Sequence, residues 1–482
     1  MSDRYDGGGT VAKIVKRLYF GAVNQRNALT LTLNFFVNFS PILLWLIIFK
    51  NAGAIPIEVR PKIHSKAAFL LDIYLFGDLW NELLFQYNND RYRMATFVTS
   101  FAFAVVCLVL IPVAIWYFIY YVKKVKYNVI EWYDHIFHFS SRSNPKRLRV
   151  LVVPFLLPLV AFLLLNFEHT FAVQTNENFQ KWKDILAWFS YVILHLTAPI
   201  LTAVYLYVFH PPGTVKCFAL ALGLQNLMGV CTHLLLPMAP PWFVHLYGIN
   251  DVEHVNYTQK GYAAGLTRVD SHLGTHLNNA GFHLSPIVFG AVPSLHSAMA
   301  VQCFLFLVTR STTLKNRFTA QTAHGLDAAK SPEDLELASV DGTSQEVDQE
   351  SLVSSTVERE NDGEVISYLK YYHQDPSLTN RWYFTIFNKA ILPRFLGTGF
   401  IILQWWATMY LDHHYRFDLF IGVLYALFMH ILINNLILQP RVLTRWIQIR
   451  TGQEPDTKNE GRTLGMRVFE NTRFEWFFDP LA

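Results

Sequence analysis

Apolar runs punctuate most of the chain. They fall at about residues 29–49, 96–121, 150–167, 185–209, 217–236, 298–308 with the turn before it, 395–411 and 417–438, most of them near the ~20 residues a membrane-spanning helix needs. Basic segments bracket several of them: Lys13, Lys16, Arg17 and Arg26 before the first, Lys123, Lys124 and Lys126 after the second, and Lys146, Arg147 and Arg149 before the third. Residues 67–87 are apolar but carry Asp72, Asp78 and Glu82. Carboxylates are costly in hydrocarbon, so this stretch reads as an interfacial or bundle-packed helix. The pattern predicts an all-α, polytopic membrane bundle of about eight transmembrane helices.

Orientation follows from the basic flanks, which favour the cytosol. Both termini are then cytosolic, while the starts of the sixth and last spans face the lumen with the loop 237–290. The basic stretch 50–93 also falls outside in this count. The runs at Lys123 and Lys146 lie against spans, where the rule is strongest, and they decide the orientation.

Five segments result: a basic N-terminus (1–26), a transmembrane bundle (27–309) with its lumenal loop (237–290), an insert (310–381), helices completing the core (382–438) and a cytosolic tail (439–482). Residues 333–364 are rich in Glu, Asp and Ser, with Arg359 the single basic residue, so the insert reads as acidic, disordered and cytosolic.

Composition agrees with the membrane reading. The 482 residues are 52% hydrophobic and 16% charged, with a net charge of +4. No basic run interleaves with aromatics away from the membrane flanks, which argues against nucleic-acid binding. Cys107, Cys217, Cys231 and Cys303 all lie in apolar runs and read as small core residues rather than a disulfide or metal framework. No cleavable signal peptide is visible; residues 1–10 are polar and Gly-rich.

Two motifs carry chemistry. Pro293-Ser294-Leu295-His296-Ser297 opens the sixth span, placing a titratable histidine among helix-start donors that favour phosphate. His413-His414-Tyr415-Arg416-Phe417-Asp418 opens the last, and His414 and Asp418, four apart, share a helix face. Phosphoryl transfer needs a nucleophile, a proton donor for the departing hydroxyl and donors for the charged oxygens. His414, held in one tautomer by Asp418, fits the nucleophile; His296 fits the acid and base. A carboxylate such as Asp418 costs about 2.5–3.5 kcal/mol at mid-membrane on insertion scales and needs a reason to be there. Arg268 and Arg416 are candidate phosphate clamps with Ser294 and Ser297, Arg416 alternatively snorkelling to headgroups. Asn256-Tyr257-Thr258 is a glycosylation acceptor pattern on the lumenal side. His272-x-x-x-His276 has metal-ligand spacing, but Gly274 interrupts it and no third ligand is evident, so no metal or other cofactor is expected.

The same two motifs resemble the second and third motifs of the superfamily of lipid phosphatases and phosphotransferases related to type 2 phosphatidic acid phosphatase. Residues 234–243 (LLLPMAPPWF), 265–270 (GLTRVD) and 413–419 (HHYRFDL) resemble fungal inositol phosphorylceramide synthases. Residues 191–205, 404–414 and the terminal EWFFDPLA bring nearly the whole chain, outside the insert, closer still to the yeast inositolphosphotransferase family. That resemblance implies transfer of phosphoinositol from phosphatidylinositol to mannosyl-inositol-phosphorylceramide, with release of diacylglycerol. It also implies a Golgi membrane, a lumen-facing site, lipid partners, no required metal, and the roles of His296, His414 and Asp418 given above. Two rival activities stay open: synthesis of inositol phosphorylceramide from ceramide, and lipid phosphatase activity with water as acceptor. The first superfamily motif, Lys-x6-Arg-Pro, is absent, and Ala407 and Thr408 stand where the third motif has Ser-Arg.

Overall fold

The computed structural model describes residues 10–24, 26–77, 179–307, 391–450 and, with short breaks, 453–480. Among these residues the chain is helical, its only β-pairing being isolated bridges. Among the described residues four helices are long and apolar enough to cross a membrane: α2 (Ala28–Asn51, overlapping the stretch Leu29–Ala54), α4 (Lys181–Phe209), α5 (Thr214–Leu235) and α11 (Arg416–Arg450). Here α1 is Thr10–Val23, α2 Ala28–Asn51 and α3 Ala67–Asp72. Three short helices follow α5: α6 (Pro241–Tyr247), α7 (Leu266–Leu273) and α8 (Leu277–His283). The shorter apolar helix α9 (Leu295–Leu307) carries the first motif, α10 is Ile391–Tyr410 and α12 Leu464–Val468. The expected spans near 96–121 and 150–167, and the acidic insert, lie outside the described residues.

The main core is built by α5, α9, α10 and α11, through Phe218, Met299, Phe306, Trp405, Leu419 and Ile433 among others. α2 packs along α5 where Gly223 lets the helices touch: a Cβ there would sit 2.7 Å from that of Pro41. Its other face is bare, with Leu33, Val37 and Ile47 exposed, as a lipid-facing surface requires. α4 is continuous across a π-helical segment at Phe189–Leu194.

The last span runs further than the apolar pattern predicts. Pro440 has no N–H to donate, and a wide π-helical stretch, Asn434–Leu443, carries the helix past it to Arg450. The tail beyond is folded: buried Arg450 pairs with Asp479 at 2.7 Å, and Phe478 stacks on Phe209. α1 packs on α12, so the N- and C-terminal segments share one end of the bundle. The last turn of α2 and the first of α11 lie at the other end, roughly 50 Å along α11 at 1.5 Å per residue.

The site end is braced by backbone pairing. His64 N–H donates to Pro237 O (2.8 Å), Met238 N–H to Phe289 O (2.8 Å) and Ala291 N–H to Met238 O (3.3 Å). Asp72, one of the acids that argued against a span, is buried at the end of α3 and holds Arg416.

Candidate active site

His296 lies in the first turn of α9. Pro293 stands before the helix rather than in its first turn, joined to Val292 by a cis peptide. Ser294 caps the helix, its Oγ accepting from Ser297 N–H at 3.3 Å. On the other side, α10 ends at Tyr410, and Asp412 takes a left-handed φ of +63°. The turn lets His413 and His414 both donate their N–H groups to Thr408 O, at 3.0 and 3.3 Å. α11 then starts with Asp418 in its first turn, accepting Tyr415 N–H at 3.1 Å.

The two helix starts are locked together. Ser294 N–H donates to Asp418 O (3.0 Å) and Ser297 Oγ to Leu419 O (2.8 Å). A Cβ on Gly422 would collide with Ser294 O, so only glycine permits this approach of α11 to α9. Across 118 residues of sequence, His296 Nδ1 comes within 3.2 Å of His414 Nε2, and His414 Nδ1 lies 3.1 Å from Asp418 Oδ2. With Asp418 accepting, Nδ1 of His414 carries the proton and Nε2 its lone pair. His296 Nδ1–H then donates to that lone pair.

A column of rings orients His296. Phe282 stacks on His413 (4.7 Å between centroids), His413 on Tyr191 (4.9 Å) and Tyr191 on His296 (4.3 Å). His195 approaches His296 to 4.3 Å, and its buried Nδ1 has no hydrogen-bond partner among the described residues. Burial pushes the His413 imidazole down to about 3, with His414 adding to the shift. His413 is therefore a neutral spacer whose Nε2–H donates to Ala263 O at 3.1 Å. A cavity of about 180 Å³ opens on the pair, lined by His233, His296, His413 and His414 with Tyr191, Trp242, Tyr262 and Phe282.

The other residues expected at the phosphate lie elsewhere. Arg268 Nε donates to Asp184 Oδ1 at 2.9 Å, and its guanidinium sits 3.8 Å over Phe179. Asp184 also accepts from His272 (3.0 Å) and Tyr410 OH (3.1 Å), which ties α7 to α4 and to the end of α10. Arg416 is buried and paired with Asp72 at 2.7 Å, so it neither clamps a phosphate in the cavity nor snorkels. Neither arginine lines the cavity. Buried carboxylates, invisible as partners in the sequence, pair with both cations, although Arg268 Nη2 has no hydrogen-bond partner among the described residues. Ser297 is likewise committed, donating to Leu419 O and accepting from Trp405 Nε1–H at 2.9 Å. His272 and His276 are parted by a left-handed turn at Gly274 (φ +65°), so they do not share a helix face. Asn256 lies in a surface loop, its Oδ1 accepting Thr258 N–H at 3.1 Å.

Sequence reasoning missed Tyr191, His195, His233 and His413. The signal was present: Tyr191 and His195 stand four apart within an apolar run, and His233 lies in the last turn of α5, positions where polar rings are expensive without a task. Ser297→Ala is expected to cost about 1–3 kcal/mol of stability, since it strands Trp405 Nε1–H in the core. Thermal unfolding in detergent micelles reads this. A phosphate-binding serine would instead lower turnover at an unchanged melting temperature.

Residues 155–321 match the PAP2 superfamily model, a span that contains His296 but not His414. The chain is 54% identical to Inositolphosphotransferase 1 of Saccharomyces cerevisiae over 98% of its own length and 99% of that protein. It is 35% identical to the inositol phosphorylceramide synthase catalytic subunit aur1 of Schizosaccharomyces pombe over 37% of this chain and 41% of that one. It is 31% identical to a phosphoinositol dihydroceramide synthase of Bacteroides thetaiotaomicron over 26% of this chain and 39% of that one. No solved structure matches.

Proposed function

On the premise that the chain belongs to the inositolphosphotransferase family and is a transferase, we propose that it moves phosphoinositol from phosphatidylinositol to mannosyl-inositol-phosphorylceramide. The observation that carries the reading is the His296–His414–Asp418 relay at the mouth of a ring-lined cavity. His414 Nε2 attacks the donor phosphorus, and the bond to the diacylglycerol oxygen breaks. His296, entering this step as the imidazolium, gives that oxygen a proton and becomes the neutral ring, and diacylglycerol leaves. In the second half, His296 takes the proton of the acceptor hydroxyl, whose oxygen attacks phosphorus and releases Nε2. Asp418 holds the Nδ1 proton throughout and offsets the charge of the phosphorylated ring. The donor headgroup must part the two imidazoles, which rest against each other at 3.2 Å.

Location follows the same reading. The site faces the Golgi lumen, both termini face the cytosol, and Asn256 is glycosylated. The shared placement of the terminal segments at the end opposite the relay supports this arrangement.

The test is a micelle assay with labelled phosphatidylinositol and three acceptors: ceramide, inositol-phosphorylceramide and its mannosylated form. Transfer to the mannosylated acceptor is expected. Activity on ceramide alone would make the chain an inositol phosphorylceramide synthase, and release of free inositol phosphate would make water the acceptor. Deleting residues 331–362 is expected to leave turnover within about twofold, because the insert lies across the membrane from the site. A large loss would count against that orientation.

A further inference from the structure

The cavity offers more chemistry than the relay uses. Among the described residues no aspartate, glutamate, lysine or arginine lines it. Three polar side chains on its wall have instead spent their protons on backbone carbonyls. His233 Nε2–H donates to Pro293 O at 2.9 Å, His413 Nε2–H to Ala263 O at 3.1 Å and Ser285 Oγ–H to Ile287 O at 3.1 Å. A carbonyl only accepts, so each bond fixes where the proton is. The neutral imidazoles then carry a lone pair at Nδ1, and the serine oxygen keeps its own.

His233 is buried, 7% exposed, in the last turn of α5, where an imidazole is expensive without a task. Gly290 keeps its Nδ1 edge clear. A Cβ at 290 would lie 3.2 Å from Nδ1, and Gly290 lines the same cavity. Acceptors without a carboxylate discriminate among headgroups. A phosphate brings no hydrogen to a lone pair, and an ammonium finds no counter-charge. A neutral polyol brings many hydroxyl hydrogens, and an analogue lacking one leaves a buried acceptor unpaired.

We infer that His233 Nδ1 accepts a hydroxyl of the inositol ring being transferred, and that with Ser285 and His413 it sets a preference for a polyol headgroup over an ammonium one. The inference rests on the proposed donor reading and deepens it. His233 touches the ring hydroxyl and not phosphorus, so it selects the donor and takes no part in bond making. The carbonyl it holds belongs to Pro293, just before α9. The hydroxyl contact and the His296 ring are thereby held in one frame.

The test uses the full chain in micelles, with phosphatidylinositol and a set of donors that each lack one inositol hydroxyl. The missing group lies on the transferred ring, so a response places the contact there and not on the acceptor's own inositol. The wild type is expected to lose about tenfold in kcat/KM on one of these donors, the scale of one hydrogen bond. His233→Gln keeps an N–H for Pro293 O but has no acceptor at Nδ1. It should lose about tenfold on phosphatidylinositol and nothing further on the sensitive deoxy donor. An equal added loss on every donor would mean that His233 acts only through Pro293, and would overturn the inference. A wild-type chain indifferent to the removal of each hydroxyl would also overturn it, and that result needs no variant to fold. If the wild type transfers from none of these donors, the donor reading fails. Calorimetric binding of inositol 1-phosphate then decides separately: weaker binding by His233→Gln supports the contact, and equal binding overturns it.

Discussion

A chain carrying His414→Gln is expected to lose transfer by on the order of 10⁴-fold or more, the scale seen when one member of a nucleophile–base unit is removed. Glutamine fills much of the imidazole's volume, and the backbone N–H to Thr408 O remains. The protein should therefore stay folded in the membrane. The wild-type chain quenched during turnover of phosphate-labelled donor should carry label on His414; the variant should carry none. Asp418→Asn tests the partner. It preserves the shape at Oδ2, where His414 Nδ1–H and Tyr415 N–H are both accepted, but removes the charge that offsets the phosphorylated ring. A fall of roughly 10²- to 10⁴-fold is expected, with unfolding close to that of the wild type. Label retained on His414→Gln would identify a different nucleophile.

The second large effect is on stability. Arg416→Ala leaves the carboxylate of Asp72, buried beneath α11, facing one backbone donor, Phe417 N–H at 2.9 Å. Removing one partner of such a pair costs about 3–5 kcal/mol. The variant should unfold well below the wild type and lose activity with its fold. Replacing both partners by apolar residues, Asp72→Leu with Arg416→Met, removes the stranded charge, and stability and transfer should both return. A phosphate-clamping arginine makes the opposite forecast: the double variant would be stable and still inactive.

These forecasts differ in how far the sequence led to them. The proposed site residues His296, His414 and Asp418 were legible as candidates because each motif is local in sequence: a capped helix start, and an i,i+4 pair at the mouth of an apolar run. The spans α2, α4 and α5 were legible because lipid imposes length and composition. The carboxylate partners of the arginines were not legible because a cation's partner is a long-range fact. Asp72 lies 344 residues from Arg416 and Asp184 lies 84 from Arg268, and no periodicity connects either pair. The prolonged α11 escaped because the apolar run ends at Leu438, whereas a π-helical stretch carries the helix on past Pro440. The ring column escaped because Tyr191 and His413 meet only through the packing of α4 against the end of α10.

That column bears on where orientational freedom is lost. A histidine at a membrane rim ordinarily samples several side-chain rotamers and must be caught in one of them at the moment of proton transfer. Tyr191 and His195, against the ring of His296, remove that choice when the chain folds. Its ring plane is already restrained when a lipid arrives, so the proposed proton transfer starts from a narrow set of orientations once the two imidazoles part.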